Sequence, residues 1–179
     1  MLGSRSMART SFSQMTCSVA RTAEVVGDWW TPLILRDLAI GISRFDALQD
    51  NLGVSRKVLT DRLAALAEHG VVAREPYQEK PTRYDYFLTE KGVDLAMVLL
   101  AMAAWGDRWV FGEGSEPVLL RHDACGEVAR PVMTCSCCGE PLRAGEFTPF
   151  AGPGLADGPG TRRTREALER LGALRAGAA

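Results

Sequence analysis

An amphipathic helix followed directly by a β-hairpin is the feature that most constrains the fold of this chain. Residues 53 to 70, GVSRKVLTDRLAALAEHG, carry apolar residues at helical spacing. Ser55 is suited to cap the N-terminal end of this predicted helix, and Gly70 is suited to end it. Three leucines form the stripe that is predicted to face the core: Leu59, Leu63 and Leu66.

The hydrophobic pattern changes at Val71. Two segments that follow, VVAREPY and RYDYFL, are rich in β-branched and aromatic residues, and QEKPT joins them. They predict two antiparallel strands with Lys80 and Pro81 at the tip of the connecting turn.

Three further helices are predicted before this unit. CSVARTAEVVG predicts the first, and TPLILRDLA predicts the second, with Thr31 as N-cap and Pro32 as first helical residue. SRFDALQDNLG predicts a short helix opened by Ser43. Helix, short helix, turn, longer helix and hairpin is the order of a winged helix-turn-helix. The predicted fold class is therefore mostly α with a small β wing, an α+β fold.

Two cations begin the longer helix, where the positive end of the helix dipole disfavours cations. Arg56 and Lys57 lose this mismatch if their partner is a DNA phosphate, and a small polar helix face such as this one fits a major groove. The alternative is an ordinary solvated first turn, which the adjacent hairpin disfavours. The candidate DNA contacts are Arg44, Ser55, Arg56, Lys57, Thr60, Arg62, Lys80 and Arg83.

A long helix is predicted after the hairpin, beginning at Thr89 and running to about Phe111. Between Val93 and Trp105 only Asp94 is polar, so the helix must be covered on nearly every side. We expect a second subunit to cover part of it, with its own first helix in contact. The alternative is that the C-terminal segment covers it. The predicted dimer interface comprises Leu95, Val98, Leu99, Met102, Trp105 and Trp109.

Four of the five cysteines lie close together in the C-terminal part. HDACG and CSCCG place His122 and Cys125, and then Cys135 and Cys138, at the spacing of paired zinc knuckles. Four protein ligands leave no open position, so the predicted zinc is structural. The alternatives are a reduced, metal-free cluster or a redox pair, and no βαβ pattern supports the redox pair. Cys137 remains outside this ligand set.

The chain is accordingly divided into four predicted regions. Residues 1–16 form a flexible arm, and residues 17–111 form the DNA-binding and dimerisation domain. Residues 118–150 form the cysteine and histidine module, and residues 151–179 form an Arg-containing tail that is either a marginal helix or, as the composition favours, a solvated extension.

Bulk composition limits the remaining function classes. The 179 residues carry a formal net charge of -1, so any basic surface must be local. The start of the chain has no apolar signal region, and the longest run without a polar residue, Leu95 to Trp105, is far shorter than a membrane span. We therefore expect a cytoplasmic protein. With no Gly-rich phosphate loop and only two histidines, the sequence does not indicate an enzyme.

The segments CSVARTAEVVGDWWTPLILRDLAIGISRFDALQDNLGVSRKVLTDRLAALAEHGVVAREPY, RYDYFLTEKG and WGDRW together resemble the HxlR-type family of bacterial winged-helix transcriptional regulators. The resemblance covers about residues 17 to 110. It implies a homodimer on a pseudo-palindromic operator in double-stranded DNA, with the recognition helix at 55–69 and the wing at 77–83. Family members act as repressors or activators. The competing hypothesis is a winged helix that binds a protein partner, with a zinc-bound docking element.

Cys17 matches the position of a thiol that senses electrophiles or oxidants in several relatives, so the resemblance also implies a small-molecule or electrophile effector. We expect Cys17 to lie near a helix N-terminus, which favours the thiolate form. The alternative is a small buried hydrophobic residue. Because residues 18 to 124 contain no cysteine, a disulfide between two DNA-binding domains would have to join Cys17 to its own copy.

Overall fold

The structure is a computed structural model that describes residues 11–177 in two compact units. One unit is residues 28–142, and the other combines residues 11–27 with residues 143–177. The first ten residues of the predicted arm and the last two of the predicted tail lie outside the described residues. The elements are α1 (Ser18–Val26), α2 (Thr31–Ala39), α3 (Phe45–Leu52), α4 (Arg56–Glu68), β1 (Val72–Glu79), β2 (Thr82–Leu88), α5 (Glu90–Gly106) and α6 (Thr164–Ala176).

Elements α2 to β2 form the winged helix-turn-helix that the sequence predicts. The predicted leucine stripe of α4 is confirmed, because all three side chains are buried. They are part of a core that also takes side chains from α2, α3 and the start of β1. The buried apolar residues are Ile34, Leu35, Leu38, Leu48, Val54, Leu59, Leu63, Leu66, Val71 and Val72.

A buried carboxylate joins α2 to α3. Asp37 is 0% exposed, and its Oδ2 accepts a hydrogen bond from Nδ2 of Asn51 at 2.7 Å. Its Oδ1 accepts from Nε of Arg36 at 2.9 Å. Both carboxylate oxygens are therefore satisfied, as a buried charge requires. This contact fixes the two helices that precede α4.

Of the three N-caps predicted before the hairpin, two differ from the structure and one is confirmed. Ser55 caps α4 as predicted, since its side chain accepts from the backbone N–H of Val58. Thr31 is instead the first residue of α2, and Asp28 accepts from its backbone N–H at 3.0 Å. Ser43 does not cap α3, because its hydroxyl donates to Asp85 of β2 at 3.0 Å. Asp85 is 42 residues away along the chain, so the local sequence pattern did not indicate this hydrogen bond.

The hairpin is confirmed with its tip at Lys80 and Pro81, which are joined by a cis peptide bond. The strands are longer than predicted and pair in antiparallel register from Val72 opposite Leu88 to Glu79 opposite Thr82, with one irregularity between Pro76 and Gln78. The chain just before α3 pairs with β2 through an isolated bridge between Arg44 and Asp85, and the N–H of Tyr86 donates to Ser43 O at 2.9 Å. The hairpin is thereby attached to the helices.

Helix α5 begins at the predicted cap, with Thr89 accepting from the N–H of Gly92. The helix ends at Gly106 and continues as a π-helical turn, Asp107–Phe111. It packs mainly on α2 and also meets β2. Within the described residues no helix is long and apolar enough to cross a membrane.

Gly92 lies in the first turn of α5, close to the residue that precedes β1 and to the end of β2. A Cβ at this position would lie 2.3 Å from the carbonyl oxygen of Val71 and 3.2 Å from Cβ of Leu88. That oxygen also accepts the N–H of Thr89 at 3.1 Å, so it cannot move freely.

The substitution Gly92→Ala is therefore expected to lower the free energy of unfolding by about 1–3 kcal/mol, as overpacking does. Urea denaturation at fixed protein concentration measures the change. The matched control in the same helix is Gly106→Ala, because nothing lies within 4 Å of a Cβ at Gly106. The control should be neutral or slightly stabilising. Equal stability of both variants would contradict the close contact.

The second unit contains α1 and α6. The segment before α6 is fixed by two hydrogen bonds. The hydroxyls of Thr16 and Thr161 both donate to the carbonyl oxygen of Ala156, at 2.9 and 2.8 Å. Thr161 is buried. Of the two alternatives for the tail, the structure thus has the helix rather than the solvated extension over Thr164–Ala176. Composition concealed this because Thr16, one of the two anchoring threonines, is 140 residues from Ala156.

Candidate nucleic-acid interface

The N-terminal half of α4 presents an exposed, polar face. Ser55, Arg56, Lys57 and Thr60 all lie on the surface. The Lys57 side chain is 85% exposed, and its Nζ lies 3.2 Å from Oδ2 of Asp61 one turn later. A surface pair of this kind stabilises a helix by less than about 1 kcal/mol. A DNA phosphate can therefore replace Asp61 as the partner of Lys57 at little cost.

Arg56 is held toward α3 without being buried. Its guanidinium lies 5.0 Å from the ring centroid of Phe45, and its backbone carbonyl accepts the Thr60 hydroxyl at 2.9 Å. Stacking on an aromatic ring orients the guanidinium and leaves its N–H groups available to an anion. The positive end of the α4 dipole lies at the same place. This end of α4 is thus suited to a phosphate.

The wing and the residue that precedes α3 carry three more of the predicted contacts, Arg44, Lys80 and Arg83. Arg44 lies over the ring of Tyr77 at 4.7 Å and forms an ion pair with Asp85 at 3.6 Å. Arg83 of β2 pairs with Asp46 of α3 at 3.5 Å. Lys80 is exposed at the tip. The hairpin and α3 together therefore hold Arg44 and Arg83 beside the helix-turn-helix.

Arg62 is placed differently from the other predicted contacts. Its side chain is only 29% exposed, and its buried Nε lies 3.3 Å from Oδ1 of Asp28. The same carboxylate accepts the backbone N–H groups of Trp30 and Thr31 at the start of α2. Arg62 therefore holds α4 against the segment before α2, and its assignment as a DNA contact stays a prediction. Its partner, far away in sequence, could not be read from the helix pattern.

The sequence interpretation omitted one cation of the wing. Arg74 lies on β1, and its guanidinium is 4.4 Å from the ring centroid of Tyr84 on the opposite strand. The prediction placed the wing at residues 77–83 and therefore did not include Arg74. Pairing the two predicted strands residue by residue would have shown the arginine beside a cross-strand tyrosine.

The predicted dimer face of α5 is largely uncovered in the single chain. Met102 is 53% exposed and Trp105 is 63% exposed, with Val98 and Trp109 exposed as well. Leu95 and Leu99 are half-buried and face the neighbouring elements. An exposed apolar strip of this size marks an interaction site.

The candidate metal ligands form two separate pairs. In the first, Nδ1 of His122 lies 3.4 Å from Sγ of Cys125. In the second, the backbone N–H groups of Cys138 and Cys137 hold the pKa of the Cys135 thiol below its usual value. Across residues 11–177, no three His, Cys, Asp or Glu side chains are grouped to hold a metal ion.

Cys17 lies immediately before α1, as expected, and is its N-cap residue. The thiol is free and half-buried, and the backbone carbonyl of Cys17 accepts the N–H of Arg21 at 2.9 Å.

Elements α2 to β2, with a basic helix end next to a basic wing, define a winged helix-turn-helix of the DNA-binding class. The HxlR-like helix-turn-helix family matches residues 25–113. The uncharacterized HTH-type transcriptional regulator Rv3095 of Mycobacterium tuberculosis is 44% identical over 138 residues, which are 77% of this chain and 87% of that protein. The chain belongs to the HxlR-like helix-turn-helix family, and it is a transcriptional regulator of the winged-helix kind.

Solved structures agree with this assignment. The candidate transcription factor PA1607 has a TM-score of 0.66 at 37% identity, over 75% of this chain and 94% of that one. The candidate transcription factor PA1374 of Pseudomonas aeruginosa has a TM-score of 0.58 at 36% identity, over 83% of this chain and 99% of that one. Membership of this regulator family implies DNA binding.

Proposed function

We propose that this regulator binds a pseudo-palindromic operator as a homodimer and that reactive electrophiles change its affinity through Cys17. The observation that carries the DNA-binding part is the exposed pair Arg56 and Lys57 at the N-terminal end of α4, next to a wing with its own cations. These residues are proposed to contact phosphates and base edges of the major groove.

A second copy of this chain is the proposed occupant of the α5 face. The exposed side chains of Val98, Met102, Trp105 and Trp109 are apolar, and a homodimer buries the same patch on both subunits. The guanidinium of Arg108 lies over the Trp109 ring at 4.8 Å, so a charge stands at the end of this patch. A two-fold axis through α5 presents two α4 helices to DNA about 34 Å apart, one helical turn.

Comparing a DNA that carries two half-sites with one that carries a single half-site tests this arrangement. A dimer binds the first far more tightly, because its second α4 docks at high effective concentration. Equal affinity for both DNAs would contradict the proposed dimer.

The proposed sensing step is covalent. The thiolate of Cys17 adds to a ring carbon of a quinone, so that an S–C bond forms and a ring C=C bond becomes single. The hydrogen of the attacked carbon then moves to one ring oxygen and one proton from water goes to the other, which gives a hydroquinone thioether. Support comes from the free thiol at the start of α1 and from the family resemblance. A single thiol suffices for this step, so no partner cysteine is required.

Treatment with benzoquinone is expected to release the wild-type protein from operator DNA and to leave Cys17→Ser bound. Fluorescence anisotropy measures the release, and intact-mass spectrometry counts the adducts. Cys137→Ser, which removes an exposed thiol elsewhere, is the matched control and should release like the wild type. If Cys17→Ser is released equally, Cys17 is not the sensor.

A further inference from the structure

Two turns in the C-terminal part of the 28–142 unit share one backbone pattern. In the first, the N–H of His122 donates to Glu127 O at 2.9 Å, and the N–H of Gly126 donates to His122 O at 2.7 Å. Gly126 has a φ of +77°, a backbone conformation that glycine adopts without the strain other residues would have. Arg121 and Val128 close the turn as an isolated β-bridge.

The second turn has the same pattern of backbone hydrogen bonds at equivalent positions. The N–H of Cys135 donates to Glu140 O at 2.8 Å, and the N–H of Gly139 donates to Cys135 O at 2.8 Å. Gly139 has a φ of +76°. Thr134 and Pro141 form the equivalent bridge. Two turns with the same hydrogen bonds and the same glycine conformation place their ligand pairs in the same local geometry.

The first pair already has the separation that a shared zinc ion requires. Zn–N and Zn–S bonds of about 2.0–2.1 and 2.3 Å at a tetrahedral angle put the two ligand atoms about 3.6 Å apart. Nδ1 of His122 and Sγ of Cys125 are 3.4 Å apart. This turn is thus preset to bind one ion with two ligands.

No hydrophobic core supports these turns. From residue 118 to residue 142 no side chain is buried, and Val128, Val132 and Met133 are each at least 60% exposed. A segment without a core holds regular turns only with help from another source, and a structural metal is the usual one in small modules. The lack of buried side chains therefore supports a bound metal ion independently of the ligand spacing.

We propose that one zinc ion is bound by His122, Cys125, Cys135 and Cys138 of the same chain. The two pairs do not converge in the described chain, so ion binding itself draws the two turns together, as is common where the site forms only with its metal. Binding of Zn²⁺ releases three thiol protons and involves no electron transfer. All four positions are filled by protein, so the ion is structural and not catalytic.

The test uses the full chain, expressed with zinc and purified without chelators. Metal analysis is expected to find one zinc per chain in the wild type. Cys125→Ser and Cys138→Ser should each lose it, whereas Cys137→Ser, one residue from the predicted ligand, should keep it. His122→Cys should also keep it, since zinc accepts either ligand. Cobalt substitution should give the visible absorption of a tetrahedral thiolate site.

Several results would overturn the proposal. One is wild-type protein that neither contains zinc nor takes up cobalt, and another is zinc retained by both Cys125→Ser and Cys138→Ser. A loss of zinc in Cys137→Ser equal to that in Cys138→Ser would also reject this ligand set. Far-ultraviolet circular dichroism identifies any variant that has simply unfolded. His122→Cys then provides the informative comparison, because it exchanges one zinc ligand for another.

Discussion

Replacing Arg56 and Lys57 together with alanine is expected to weaken operator binding by on the order of a hundredfold or more. A dimer then has four fewer cations, so the slope of log K against log salt should become shallower by about 0.9 for each phosphate that is no longer neutralised. The fold should survive, because Lys57 contributes only a surface ion pair and Arg56 only a stacking contact with Phe45. Anisotropy titrations at several salt concentrations measure both effects.

Arg143→Ala is the matched control for this experiment. Arg143 is 78% exposed and pairs with Glu146, three residues later. Its replacement therefore removes a cation of similar exposure that is far from α4 in sequence. It should change neither the affinity nor the salt slope. If the double variant binds like the wild type, α4 is not the recognition helix.

The variant that replaces Met102 and Trp105 with lysine is expected to be monomeric. Light scattering should give twice the 19.4 kDa chain mass for the wild type and a single chain mass for the variant. Burying two ammonium groups in an apolar interface is strongly unfavourable. Operator affinity should fall by about 10²–10⁴ because the second half-site no longer binds intramolecularly.

Leu174→Lys in α6 is the control for this second prediction, because it also places a lysine at an exposed apolar position, with one added charge where the test variant has two. It should remain dimeric. A Met102 and Trp105 variant that keeps the dimer mass would show that α5 does not form the interface. The unfolding free energy of the monomer should change little, since both side chains are exposed in the single chain.

The parts of the fold that local chemistry determines could be predicted from the sequence. The leucine stripe of α4 follows from helical period, the Ser55 cap from its side-chain oxygen, and the hairpin tip from Lys80 and Pro81. Each depends on residues within about one turn of each other. The structure therefore agrees with these predictions almost residue by residue.

The parts that the sequence missed depend on partners far away along the chain. The ion pair of Arg62 was missed because helix periodicity does not show that Asp28 lies beside it. Ser43 was assigned as the cap of α3 because the sequence pattern does not show that Asp85 on β2 accepts its hydroxyl, 42 residues away. The helix α6 was disfavoured by composition, although the hydroxyl of Thr16, 140 residues away along the chain, donates to Ala156 in the segment before it.

The candidate site shows the same division. Arg56 and Lys57 were identified from their position at a helix start, whereas Arg74 is significant only through the cross-strand Tyr84. Arg44 is held at the wing by Tyr77 and Asp85, two residues of the hairpin. Tertiary contacts of this kind cannot be read from one-dimensional spacing.

The measurement that tests the central claim most directly is anisotropy of the wild-type protein on the DNA upstream of its own gene, against a shuffled DNA of the same composition, over a salt series. We predict binding at least about 10³-fold tighter to the native DNA and a steep fall of affinity with salt. Weak binding that is equal on both DNAs, with a shallow salt slope, would contradict sequence-specific regulation and would favour a winged helix that docks a protein partner.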